Sequence, residues 1–185
     1  MQDETVEIRW HGRGGQGAIT AAKIFAQAAF HSGFPGVLMA PSFGTERRGA
    51  PVEVSLKISR AGINDLCPIE HPDVVVVLDD SILDEVNVVA GIKPDGILVI
   101  NTPRGRGVYG GNHVRMATAD VTHLAEKAGL KRGIVNTGII GALAKALPIV
   151  PLPALLEAIK AEFNGKKGAE NAEAARLAHA NTTTE

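Results

Sequence analysis

Residues 74–78 (Val74-Val75-Val76-Val77-Leu78) are apolar without a break, which leaves a strand no wet side. Such a strand belongs in the middle of a parallel sheet covered by helices, whereas a sheet open to water alternates apolar and polar positions. Residues 96–101 repeat the pattern through Ile97, Leu98, Val99 and Ile100. Strand-like and helix-like segments alternate around these two runs. Residues 6–11 read as a strand and 16–31 as a helix, with Ile19, Ala22, Ala26, Ala29 and Phe30 at helical spacing. Residues 37–40 and 114–118 read as short strands. Residues 120–128, 136–146, 154–163 and 168–180 read as helices, Pro153 suiting a first turn and Asn164-Gly165 a stop. This order predicts an α/β fold, a Rossmann-like open sheet that is mostly parallel with helices on both faces. Residues 52–59 differ: Val52, Val54, Leu56 and Ile58 alternate with Glu53, Ser55, Lys57 and Ser59, so this strand has one wet face and an antiparallel or edge position. Residues 79–81 are expected to cap a helix over 82–90, residues 1–180 to form one domain, and 181–185 to be a frayed tail.

With 185 residues, 45% of them apolar, the chain has material for a full hydrophobic core. Its net charge of −1 argues against a general nucleic-acid binder but conceals an asymmetry. Residues 8–60 hold seven Lys or Arg (Arg9, Arg13, Lys23, Arg47, Arg48, Lys57, Arg60) against Glu46 and Glu53, so the first third is cationic and the remainder anionic. The single cysteine, Cys67, excludes an internal disulfide, a zinc knuckle and an iron-sulfur cluster held by the chain's own thiolates; any electron carrier belongs to a partner. Charges in the first few residues without an apolar signal core, and no apolar run of transmembrane length, predict a cytoplasmic protein with no membrane segment.

The densest functional signal is the junction at residues 7–20, where a strand runs through Gly12-Arg13-Gly14-Gly15-Gln16-Gly17 into the alanine-rich helix. A glycine turn at a helix start presents unpartnered backbone N–H groups at the positive end of the helix dipole and so favours phosphate or pyrophosphate. Arg9, His11 and Arg13 add positive character, and no acid falls between Glu7 and Glu46. The glycines satisfy the dinucleotide fingerprint, but the acid needed about 20 residues further on to hold a ribose is absent from Val37-Leu38-Met39-Ala40-Pro41. Tight helix-to-sheet packing is the alternative role for these glycines.

A second constellation is Phe43-Gly44-Thr45-Glu46-Arg47-Arg48-Gly49-Ala50-Pro51. Its residues suit a guanidinium platform for phosphate or carboxylate and, equally, a solvated loop with a local Glu46–Arg47 pair. Asp79-Asp80 reads as a cap rather than a metal ligand pair. Arg104 and Arg106 read as solvent-loop residues, with an anion contact the lesser reading, and Asn136-Thr137-Gly138 reads as a helix start. There is no nucleophile elbow, no His-Glu-x-x-His pair and no Gly-Lys-Ser/Thr ending to the glycine loop, so an independent catalyst has little to work with.

Taken together, residues 9–17, Ser42-Phe43-Gly44-Thr45-Glu46-Arg47-Arg48-Gly49-Ala50-Pro51-Val52 and Asn136-Thr137-Gly138 closely resemble the gamma subunit of 2-oxoacid:ferredoxin oxidoreductases, of the pyruvate:ferredoxin oxidoreductase type. The resemblance spans nearly the whole chain, with Thr45 standing where many relatives have proline. It implies a subunit that is not catalytic alone, in a complex with alpha, beta and cluster-carrying delta-type subunits. Such a complex decarboxylates a 2-oxoacid on thiamine diphosphate with Mg, passes electrons through 4Fe-4S clusters to ferredoxin, and transfers the acyl group to coenzyme A. The resemblance places Gly12, Arg13, Gly14, Gly15, Gln16 and Gly17 as backbone donors near the coenzyme A or thiamine diphosphate site. Phe43, Gly44, Thr45, Glu46, Arg47 and Arg48 would supply charge, with Glu46 orienting the arginines, and Asn136 and Thr137 a helix-start contact. A stand-alone nucleotide-binding oxidoreductase and a purely scaffolding subunit are the competing readings.

Overall fold

The computed structural model describes residues 5–42, 48–109 and 114–184. In chain order the elements are β1 (Val6–Arg13), α1 (Ala18–His31), β2 (Gly36–Pro41), β3 (Pro51–Ser59), β4 (Val74–Val77), a 3-10 turn (Asp80–Asp84), β5 (Ile97–Asn101), a second 3-10 turn (Gly105–Val108), β6 (Arg115–Ala119), α2 (Val121–Lys127), α3 (Asn136–Ala146), α4 (Leu152–Phe163), α5 (Gly168–Asn181) and β7 (Thr183–Thr184). One seven-stranded sheet results, in the order β2-β3-β1-β4-β5-β6-β7. Strands β1, β4, β5 and β6 form a parallel block. β3 pairs antiparallel with both β1 and β2, and β7 antiparallel with β6.

The two apolar runs become β4 and β5, buried at every residue. Successive side chains point to opposite faces. Val74 and Val76 therefore join the main core beneath the helices, while Val75 and Val77 join a second core with Leu98, Ile100, Met116, Ile82 and Val88. The two faces are covered unequally. All five α-helices contribute to the main core, and the second face is roofed by the first 3-10 turn and the turns after it. The alanines of α1 bring that helix close against the sheet, where Phe25 meets Trp10 of β1 edge to face at 6.3 Å. α3 and α5 approach until a Cβ on Gly141 would lie 2.1 Å from the Ala175 carbonyl oxygen, so only glycine fits there.

Three local expectations change. β3 is antiparallel, as its alternation predicts, but β2 forms the edge, and Lys57 and Ser59 on the supposed wet face are buried. Lys57 tolerates burial because its ammonium lies 2.6 Å from Asp65 and 3.4 Å from Glu7. Residues 82–90 do not form a helix beyond Asp80–Asp84. The Arg9 guanidinium donates to the carbonyls of Val88 and Ala90, and Pro94 has no N–H to give Ala90 in a helix. In the tail expected to fray, Thr183 and Thr184 pair with Thr118 and Ala117 at the sheet edge.

Candidate functional site

β1 ends at Arg13, and the chain enters α1 through Gly15 (φ +93°) and Gly17 (φ +80°), both in the left-handed region that favours glycine. Gly17 is the N-cap, with no side-chain cap among the described residues and no acid in the first helical turn. The first N–H groups of α1 thus have no acceptor among the described residues and are available to an external one. They face an open cavity of about 500 Å³ lined by the glycine loop, Ala18, Ile19, Thr20, Arg48 and Val52. The walls contain Arg13 and Arg48 and no acid among the described residues.

The second motif meets this loop through a short backbone ladder: Gly14 N donates to Ala50 O at 2.8 Å and Gly49 N to Gly14 O at 3.0 Å. This sets Arg48 on the cavity rim. Phe43, Gly44, Thr45, Glu46 and Arg47, and the side chain of Arg106, lie outside the described residues.

Arg13 lines the cavity, but its guanidinium is engaged within the protein. Its Nε and Nη2 donate to Ser81 Oγ (3.1 and 2.8 Å), Nη2 also to Glu85 Oε1 (2.6 Å) and Nη1 to the Gly49 carbonyl (3.1 Å). The bond to Glu85 raises the guanidinium pKa further. Gln16 Oε1 accepts from the Arg13 backbone N–H at 2.8 Å, and Gln16 Nε2 donates to Asp79 Oδ2 at 2.7 Å. Asp79 accepts the Ser81 N–H and hydroxyl on Oδ1, so the capping role is observed. Burial works to raise the Asp79 pKa, but hydrogen bonds from Ser81 and Gln16, with the Arg13 charge, outweigh it and hold the carboxyl below its ordinary range.

Open α/β sheets bind dinucleotides outside the carboxyl ends of strands, where the strand order reverses. Here the Gln16–Asp79 bond spans the ends of β1 and β4, and antiparallel β3 separates β1 from β2. A dinucleotide laid across the β1–β4 crevice would have to displace that bond, and no second parallel strand lies beside β1 on the β3 side.

The other predicted residues sort by burial. Arg9 lies beneath the turns after β4, its guanidinium bonded to the Val88 and Ala90 carbonyls. His11 is 5% exposed, with Nδ1 3.9 Å from Glu53; burial, then the neighbouring Arg9, lowers its pKa to about 4, so it carries no charge at neutral pH. Asn136 packs behind the loop, its Nδ2 3.0 Å from where a Gly17 Cβ would be. Thr137 is fully buried and donates its hydroxyl to Asn171 at 3.0 Å, tying α3 to α5. Asp80 accepts from Thr102 and Arg104, and among the described residues no group of three His, Cys, Asp or Glu is arranged to hold a metal ion. Sequence reasoning missed Ser81 and Glu85 as partners of Arg13; the Asp79-Asp80-Ser81 cap signal was the nearest pointer to them.

Residues 7–181 match the family model described as pyruvate ferredoxin/flavodoxin oxidoreductase. The chain is 46% identical over 182 residues to the pyruvate/ketoisovalerate oxidoreductases common subunit gamma of Pyrococcus furiosus, covering 96% of this chain and 97% of that one. Its fold is similar to pyruvate oxidoreductase subunit PORC of Thermotoga maritima (TM-score 0.84, 36% identity, covering 98% and 99% of the two chains). A fold likeness also extends to 2-oxoglutarate:ferredoxin oxidoreductase from Magnetococcus marinus, solved with 2-oxoglutarate, coenzyme A and succinyl-CoA bound (TM-score 0.75, 20% identity), covering 97% of this chain and 31% of that longer one.

Proposed function

From the chain's membership of the pyruvate ferredoxin/flavodoxin oxidoreductase family, we propose that it works as the gamma subunit of a 2-oxoacid oxidoreductase and forms one wall of the coenzyme A site. The observation that carries this reading is the cavity at the start of α1, where open backbone N–H groups and Arg48 converge with no opposing acid among the described residues. Phosphates are the natural occupants of such a wall, since helix-start donors and a guanidinium both strengthen with negative charge. Ile19 and Val52 add an apolar flank for the rest of the ligand. Of the predicted donors, Gly14 N–H and Gln16 N–H are already used within the loop, on Ala50 and Arg13. The binding role therefore concentrates on Gly15, Gly17 and the first turn of α1, with Arg47 and Arg48 as the cations.

Coenzyme A supplies the thiol that accepts the acyl group. Thiamine diphosphate with Mg and the 4Fe-4S clusters supply decarboxylation and electron transfer, and with one cysteine this chain leaves cluster ligation to companions. What its own residues do is bind the phosphate end, fix its orientation and close one side of the reaction chamber to water. The likeness to about a third of a longer oxidoreductase chain supports a module that works beside others, here alpha, beta and delta-type subunits with ferredoxin as acceptor. No described helix is long and apolar enough to cross a membrane, and the reading places the complex in the cytoplasm.

The test is steady-state kinetics of the assembled complex. Arg48→Ala removes a charge-assisted hydrogen bond worth about 1.5–3 kcal/mol and raises KM for coenzyme A roughly ten- to a hundredfold, with KM for the 2-oxoacid little changed. An unchanged KM for coenzyme A after Arg47 and Arg48 are both replaced by Ala would make the subunit a scaffold. Full turnover by the isolated chain would refute the subunit role altogether.

A further inference from the structure

Four residues near the cavity close a ring of hydrogen bonds whose donors and acceptors are all consistent. The Arg13 backbone N–H donates to Gln16 Oε1, Gln16 Nε2 donates to Asp79 Oδ2, Ser81 Oγ donates to Asp79 Oδ1 at 2.6 Å, and the Arg13 guanidinium returns to Ser81 Oγ. Both ends of the ring are on Arg13, so its backbone and side chain are fixed together. Four of the five guanidinium N–H donors are committed, to Ser81 twice, Glu85 and Gly49. What remains cannot offer a phosphate the two-pronged fork that makes arginine a strong anion ligand.

We propose that this ring is the positioning device of the anion site, with Arg13, Gln16, Asp79 and Ser81 setting the geometry through which Arg48 and the start of α1 bind, and with Arg13 making no ligand contact. The inference rests on reading the cavity as the coenzyme A phosphate wall. The Gly49 carbonyl held by Arg13 belongs to the residue after Arg48, and Gly49 N is bonded to Gly14 O. The guanidinium therefore pins both loops to each other and to the Asp80–Asp84 turn. The ring also holds the backbone that leads into Gly15 and Gly17, whose left-handed φ values aim the remaining N–H groups. Asp79 is its charged keystone: an asparagine there would set an NH2 against Gln16 Nε2 or give up the bonds from Ser81.

Two readouts on the assembled complex test the ring, amide hydrogen exchange at residues 13–17 and the separation of KM for coenzyme A from kcat and from KM for the 2-oxoacid. Asp79→Asn and the milder Ser81→Ala are expected to speed exchange in the loop and raise KM for coenzyme A about tenfold for Asp79→Asn, a loss of one charge-assisted bond's worth of order. KM for the 2-oxoacid and kcat stay within about twofold, and the double variant is no worse than the more damaging single, since both open one ring. Glu85→Gln serves as the opposite control, because it frees part of the Arg13 fork. Tighter coenzyme A binding in Glu85→Gln would make Arg13 a ligand and overturn the proposal. So would unchanged exchange in Asp79→Asn, or faster exchange with an unchanged KM for coenzyme A in a complex where Arg48→Ala does raise it. If Arg48→Ala leaves that KM unchanged, the cavity reading itself falls and the inference with it.

Discussion

The two ends of β1 both gather charge, but the charges are disposed differently at each. At the start of the strand, Lys57 meets Glu7 and Asp65, and Lys93 meets Glu7 at 3.5 Å and Asp73 at 2.9 Å, while the Glu7 backbone N–H donates to Asp73. Burial works to lower the Lys57 pKa, but the bonds to Asp65 and Glu7 outweigh it and leave it raised; Asp65 in turn is pulled to about 2, first by Lys57 and then by Cys67. Each of these described charges has a partner of opposite sign. At the far end, Arg13 is likewise consumed by its neighbours, yet the helix start beside it keeps its donors open and Arg48 on the rim. Charge density therefore does not distinguish the two ends; a helix start whose backbone donors have no acceptor among the described residues does.

The sharpest way to break this contrast is at the balanced end. Lys57→Ala removes a buried stem and leaves Glu7 short of a partner, so chemical unfolding should show a loss of about 3 kcal/mol, with KM for coenzyme A unmoved. A shift in that KM would mean the two ends of β1 are coupled. Midway along the strand, His11 gives a pH test. Its folded-state pKa near 4 lies below the ordinary 6.5, so the unfolded chain binds the proton first as pH falls. Stability is then lost from about pH 6.5 downward, by about 2 kcal/mol at pH 5, and the loss levels off near pH 4. His11→Gln should flatten that slope in urea titrations between pH 4 and 7. The smallest effect on folding belongs at the open end. Gly17→Ala forces a side chain into positive φ against Asn136 and should cost about 1 kcal/mol, but it should also weaken coenzyme A binding, the reverse of the Lys57 pattern.

How much of this is legible in the sequence depends on how far apart the partners are. α3 spans 136–146 as its periodicity predicts, and the apolar runs place β4 and β5, because those signals are local. The insertion of β3 between β1 and β2 is a long-range pairing that no window of sequence contains. The alternation in 52–59 reads Lys57 as wet, since Glu7 lies fifty positions away. At the site, the glycine loop is read from its own residues, whereas the fate of Arg13 is decided by Ser81 and Glu85, about seventy positions on. A cation in a glycine loop looks the same on paper whether it awaits a phosphate or is already bound by its own fold.

β7 carries a last consequence. By lying along β6, two threonines make the terminal strand of one rim only two residues long, and leave six-residue β2 as the terminal strand of the other. A neighbouring polypeptide that extended this sheet by a strand would find six residues to pair with along β2 and two along β7, and so short an edge is a poor template for mispairing between copies.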